Sequence, residues 1–284
     1  MPPSQRSQKK SVRIALWCWY RGDGFRGFQR QPLGPTVQES IEQALGRFAH
    51  PVRVMASGRT DRGVHARMQV VGFRAPVGVD SAALAARLRS ELPPGLGLID
   101  LRVAPPSFHP QFSAWGKEYR YRVNTGEVPA WEGLSWNPAT DERLQGRRLD
   151  LSIAISLLQG AVGTRDFIAF HEKSSPRRLR TLAEVRHFQE APGVTTFALV
   201  GSGFGRHQVR FLVGSAVACA AGLFPPEDFL RALEDGTPIP GIRAPASALT
   251  LWEVFYPPPV DPFPPDLRRT AGGLLPPHPP FTGS

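Results

Sequence analysis

Apolar residues in this chain change their spacing in a fixed order, and the order occurs twice. Alternation over Val12 to Tyr20 predicts a strand, and the helical spacing of Val37, Ile41, Ala44, Leu45 and Phe48 predicts a helix over Thr36 to Phe48. Thr36 and Glu39 form a capping box at its start. Strands near Val52 to Met55 and Met68 to Phe73, a helix opening at Ser81 and a strand around Leu98 to Val103 complete a βαββαβ unit. After Pro105-Pro106 the order returns: strand Tyr119 to Val123, helix Asp150 to Gln159, strands Leu182 to Phe188 and Thr195 to Val200, helix Arg206 to Ala221, strand Leu249 to Phe255. A short helix over Pro226 to Glu234 interrupts the second unit. Two split βαβ units in tandem predict an α/β chain of the α+β type, with two mainly antiparallel sheets, each carrying helices on one face, and a cleft between them. The expected division is a basic arm over 1–11, domains over 12–105 and 106–256, and a Pro-rich tail over 257–284 that is extended or disordered.

With 284 residues, 41% of them hydrophobic, the chain can bury a large core without special staples. Its two cysteines, Cys18 and Cys219, lie in separate apolar stretches, which argues against a disulfide framework or a cysteine zinc site and for a reducing cytoplasm. The apolar run Phe211 to Phe224 is too short to span a bilayer and reads as a buried helix. Met1 to Lys10 is polar and basic, unlike a secretory signal. The formal charge of +10 points instead to a polyanionic partner. Lys173, Arg177, Arg178 and Arg180 concentrate that charge around Ser174-Ser175-Pro176, as a solvated face or an RNA contact.

The segment Gly58-Arg59-Thr60-Asp61-Arg62-Gly63-Val64-His65-Ala66 places one carboxylate in a polar turn between two apolar segments, where scaffolds present reactive groups. Arg59 and Arg62 beside Asp61 should keep it ionised, which suits a nucleophile or an anchor rather than a proton donor. An Asp that merely stabilises its turn has the same local sequence. Farther on, Phe108-His109-Pro110-Gln111-Phe112 leads into Tyr119-Arg120-Tyr121-Arg122, where alternation puts the tyrosines on one face and the arginines on the other. That arrangement fits a platform for nucleobases, or a buried aromatic stripe backed by a solvated basic one. Arg210 enters an almost wholly apolar helix and needs an anion, for which Asp61 is a candidate. Gly201-Ser202-Gly203-Phe204-Gly205-Arg206 lacks the third glycine and the acidic ribose ligand of a dinucleotide loop. His65 has no second ligand close in sequence and is read as structural.

Five segments follow in order: Gly27-Phe28-Gln29-Arg30-Gln31 with Thr36-Val37-Gln38-Glu39, the loop Gly58 to Ala66, Phe112-Ser113-Ala114 with Tyr119-Arg120-Tyr121, Asp166-Phe167 with Arg180-Thr181, and Val209-Arg210 with Val213-Gly214. Together they resemble the tRNA pseudouridine synthase A family over Val12 to Tyr256. The resemblance implies the pseudouridine synthase fold and an isomerase that converts uridine to pseudouridine at positions 38, 39 and 40 of the tRNA anticodon stem-loop. It implies Asp61 as the catalytic residue, Tyr119 as the residue stacked on uracil, Arg210 as the partner of Asp61 and Arg59 near the flipped nucleotide. His109, Lys173, Arg177, Arg178 and Arg180 are candidate RNA contacts. The expected partners are tRNA and a second copy of the chain, with no membrane, DNA, metal or cofactor. Gln111, Phe28, Gln208 and Phe211-Leu212 depart from the family's usual residues, which bears on RNA contacts more than on Asp61. A synthase of other RNA specificity and a noncatalytic RNA-binding module are the alternatives; a phosphoryl transferase would want metal-holding carboxylates that the sequence does not supply.

Overall fold

The computed structural model describes residues 11–46, 52–172 and 178–281. Residues 1–10, most of the expected arm, lie outside that range, as do Phe48, Lys173 and Arg177. The first half places β1 (Ser11–Tyr20), α1 (Val37–Gly46), β2 (Met55–Ala56), β3 (His65–Pro76), α2 (Ser81–Glu91) and β4 (Leu96–Ala104) in the expected order. The second places β5 (Gly116–Asn124), α3 (Leu151–Gly160), β6 (Gly163–Arg165), β7 (Arg180–Ala191), β8 (Val194–Gly201), α4 (Gln208–Ala220), α5 (Pro226–Asp235) and β9 (Leu249–Phe255). Local chemistry sets several of these ends. Thr36 Oγ1 accepts from the backbone N–H of Glu39, and the Asp80 and Asp150 carboxylates accept from the first N–H groups of α2 and α3.

One expectation needs correction. Among the described residues the strands form not two sheets but one, in the order β4-β1-β3-β9-β5-β8-β7-β6, with β2 paired to β3. All pairings are antiparallel except β3 with β9, which run parallel through His65–Thr250 and Ala66–Leu251. The last strand of the second half thus fills the place beside β3 and fuses the halves. The short β2 replaces the longer strand expected near Val52, because only Met55 and Ala56 reach a ladder with Gly72 and Val71.

Helices cover one face of the sheet: α2 packs on β4, α3 on β7, and α4 on β5 and α3. The apolar run does form a buried helix, with eleven residues of α4 enclosed. The other face is covered by the C-terminal segment, which corrects the expected disordered tail. Residues 258–281 include α6 (Pro265–Thr270) and bury Phe263, Leu275 and Phe281. Phe263 and Phe281 meet Trp17 and Trp19 edge to face, with ring centroids 5.9 and 5.4 Å apart. Two phenylalanines packed on Trp17 and Trp19, with Leu275 buried in the same segment, outweigh the Pro-rich composition. Arg268 adds ion pairs to Glu253 and Asp261, both at 2.7 Å.

This cover also explains the alternating arginines of β5. Arg120 and Arg122 form no solvated stripe; both are buried. The Arg122 guanidinium donates to both oxygens of Glu190, at 2.7 and 3.1 Å, and to Thr250 Oγ1 and the Pro280 carbonyl. Arg120 donates to Glu118 and lies 3.6 Å from the centre of the Trp252 ring. The two cysteines are free and buried.

Candidate active site

Asp61 lies in the turn between β2 and β3, and that turn is held from several sides. Gln69 Nε2 donates to the Gly58 carbonyl at 2.8 Å, Ser57 Oγ donates to Gln69 Oε1 at 2.7 Å, and the hydroxyls of Tyr20 and Thr60 share a hydrogen bond at 2.7 Å. The Thr60 carbonyl accepts from Phe28 N–H at 3.0 Å. This close approach requires Gly27, whose φ is +93° and where a β-carbon would stand 2.8 Å from Thr60 O. Gly63, at φ +84°, supplies the left-handed residue that closes the turn, with Val64 N–H donating to Asp61 O.

His65 proves structural, as expected. Its Nδ1 accepts from Gly22 N–H at 3.0 Å, so the proton is on Nε2, which donates to the Ser247 carbonyl at 2.9 Å. Burial pushes its pKa down to about 4, against smaller opposing effects of Asp23 and Ser247. A neutral imidazole therefore ties the start of β3 to the segment before β9.

Above the turn stand side chains from the second half. His207 Nε2 is 3.2 Å from Asp61 Oδ2, and Arg210 Nη1 is 4.0 Å from the same oxygen. Arg210, nearly buried, donates through Nε to the Ala244 carbonyl at 2.7 Å, which aims the rest of its guanidinium toward the loop. Burial works against ionisation of Asp61, yet its pKa is lowered, because the hydrogen bond and charge of His207, then Arg210 and Arg206, outweigh it. The carboxylate is ionised as expected, but its stabilisers are not the neighbours in sequence. Arg59 and Arg62 are exposed, and among the described residues neither pairs with Asp61.

Tyr119, on the same face of β5 as Tyr121, is buried and its ring meets Phe204 edge to face at 5.2 Å. Burial, and secondarily the negative charge of Asp61, push its phenol pKa upward, so the hydroxyl keeps its proton. The glycine-rich run before α4 thus presents Phe204 to Tyr119. Tyr121 is fully enclosed and donates to the Pro245 carbonyl.

The remaining candidates are scattered. Arg178 is exposed and close to Lys117, whose chain lies 3.2 Å from the position of a β-carbon at Gly58, so this part of the basic loop borders the Asp61 turn. Arg180 is buried, donates to the Arg178 carbonyl and sits near Asp166, which removes it from the surface that could meet a phosphate. His109 stacks on the exposed Phe112 with centroids 4.3 Å apart, and lies near Arg13, at the end of β1 away from the loop. Among the described residues no group of three or more His, Cys, Asp or Glu side chains could hold a metal ion. The sequence reading gave no part to His207, although His207 and Arg210, three apart at a helix start, share a face.

Similarity to known proteins accords with this geometry. The family model described as tRNA pseudouridine synthase matches residues 157–257. The tRNA pseudouridine synthase A of Exiguobacterium sibiricum is 35% identical over 242 residues, covering 84% of this chain and 94% of the relative. The chain belongs to the tRNA pseudouridine synthase A family. Proteins of the same name from Geobacillus kaustophilus and Syntrophotalea carbinolica are 36% and 37% identical, each over 86% of this chain and 94% and 96% of their own. The mixed, mostly antiparallel sheet is accordingly a pseudouridine synthase fold, and the enzyme is an isomerase.

Proposed function

We propose that the enzyme isomerises uridine to pseudouridine at positions 38, 39 and 40 of the tRNA anticodon stem-loop, with Asp61 as the nucleophile. The observation that carries this reading is an ionised, half-exposed carboxylate on a rigid turn, overhung by Tyr119 and Arg210, in a chain of this family. Isomerisation breaks the bond from uracil N1 to ribose C1′, turns the ring, and joins C5 to C1′; N1 ends with the proton that C5 loses. Attack on the ribose, attack on the ring and elimination from the sugar all call for a charged carboxylate beside a base held out of its stack. Tyr119 supplies a flat surface for that base and a protonated hydroxyl for proton transfer, and Arg210 positions Asp61. Arg59, exposed next to Asp61, faces the flipped nucleotide's backbone, while Arg178 and Lys117 extend the basic border along the RNA.

The test is incubation with unmodified tRNA transcripts, followed by chemical derivatisation and primer extension. Product confined to 38–40 supports the reading, and product elsewhere transfers it to a synthase of other specificity. Tight binding without product would leave a noncatalytic RNA-binding module. The functional unit in this reading is a cytoplasmic homodimer, checked by light scattering of the purified protein; a fully active monomer at micromolar concentration would overturn that part.

A further inference from the structure

His207 stands out on two independent grounds. At φ +60° it is the one non-glycine residue with positive φ among the described residues, a conformation disfavoured for any side chain with a β-carbon. It also occupies the N-cap of α4 without making a side-chain cap bond. Asn suits both demands, left-handed backbone and N-cap, so the histidine sits where local stability would place another residue. Such a conflict points to function when the side chain has specific partners.

Those partners are two carboxylates. Nε2 lies 3.2 Å from Asp61 Oδ2, and Nδ1 lies 2.6 Å from Glu172 Oε1. Each ring nitrogen thus faces a carboxylate oxygen, Nε2 toward Asp61 and Nδ1 toward Glu172. Glu172 is itself held: Arg243 Nη1 donates to its Oε1 at 2.9 Å and lies 3.3 Å from His207 Nδ1, and Arg206 Nε is 3.5 Å from its Oε2. On the other side, Asp61 also faces Arg210 and the phenol of Tyr119.

We propose that His207 is the positioning residue for the Asp61 carboxylate, donating from Nε2 to Oδ2 so that Oδ1 is left for the substrate, while Glu172, braced by Arg243, orients the far side of the ring. This rests on Asp61 acting as the nucleophile. The backbone of residue 207 opens α4, which also carries Arg210, so one rigid element sets the carboxylate from two points.

The experiment compares wild type, His207→Asn, Glu172→Gln and Asp61→Asn in single-turnover assays on an unmodified tRNA transcript, across pH. Asn accepts the left-handed backbone and can cap the helix, but its amide is too short to bridge Asp61 and Glu172. His207→Asn should keep or raise the melting temperature and keep tRNA affinity, while the rate falls about 10- to 100-fold, as for other groups that orient a reacting residue. Its acid limb should move to higher pH, since the carboxylate loses the hydrogen bond and charge of residue 207 that help hold its pKa down. Glu172→Gln, which removes the charge that orients the ring, should reproduce the loss in weaker form. Wild-type rate with an unmoved acid limb in folded His207→Asn overturns the assignment; if that variant does not fold, the same result in Glu172→Gln overturns it. Turnover by Asp61→Asn would instead overturn the nucleophile reading beneath it.

Discussion

The two faces of β5 carry charge in opposite ways. Behind the strand, Arg120 and Arg122 are buried, Arg122 against the Pro280 carbonyl of the C-terminal segment, and Glu118 and Glu190 answer them at 2.8 and 2.7 Å. In front, the Asp61 carboxylate keeps 35% of its side-chain surface open and is met by His207 at 3.2 Å and Arg210 at 4.0 Å. Charges behind the sheet are paired and enclosed, although Arg120 Nη1 has no hydrogen-bond partner among the described residues; the charge in front is stabilised yet still reachable. Burial of an ion is thus no guide to chemistry here. What sets Asp61 apart is an ionised atom with unspent bonding capacity.

The sharpest way to break this comparison is Asp61→Asn. It keeps the shape of the turn and removes the reactive charge, so product formation should vanish while melting temperature and tRNA affinity stay near wild type. Substantial turnover by the pure variant would put the chemistry elsewhere. Next in size is Tyr119→Phe, which retains the ring and therefore stacking worth roughly 1–3 kcal/mol per base. Its single-turnover rate should fall well below wild type at nearly unchanged stability; an equal rate would make the residue a platform alone, and a collapse in melting temperature would return it to the core.

The back face should respond in the reverse sense. Glu190→Gln leaves the Arg122 charge buried without its counter-charge, and denaturant unfolding should show a loss of about 3–5 kcal/mol. Turnover per folded molecule should not change; a fall in rate at full stability would show that the two faces are coupled. The smallest effect is expected from the basic segment: Arg177→Ala with Arg178→Ala should flatten the dependence of tRNA affinity on salt, by about 0.7–0.9 in log-log slope per lost phosphate contact. An unchanged slope would leave the basic loop a solvated face.

The order of strands and helices was legible because hydrophobic period is a local property, and so was the polar turn that carries Asp61, framed by glycines. Its electrostatic surroundings were not. Arg59 and Arg62 are adjacent in sequence but exposed, whereas His207 and Arg210 arrive on a helix far along the chain. The arginines of β5 misled for the same reason, since Glu190 is 68 residues from Arg122 and nothing local announces it. Composition misled at the C-terminus: Pro-rich sequence reads as a segment without a core of its own, and it has none, borrowing Trp17 and Trp19 from the sheet. The fusion of two sheets rests on two parallel residue pairs, too small a signal for any periodicity to reveal.

That fusion bears on how the protein is made. During synthesis β1, β3 and β4 can pair early, and so can β5, β7 and β8, but β9 emerges only after all of them. Until it docks, β5 presents an unpaired edge and β3 an edge paired only with the short β2, and His65 lacks the Ser247 carbonyl that steadies the Asp61 turn. A nascent chain released before β9 therefore holds the Asp61 turn without its floor, and carries adhesive strand edges into the cell. Premature termination yields a target for chaperones and proteases, not a slow enzyme.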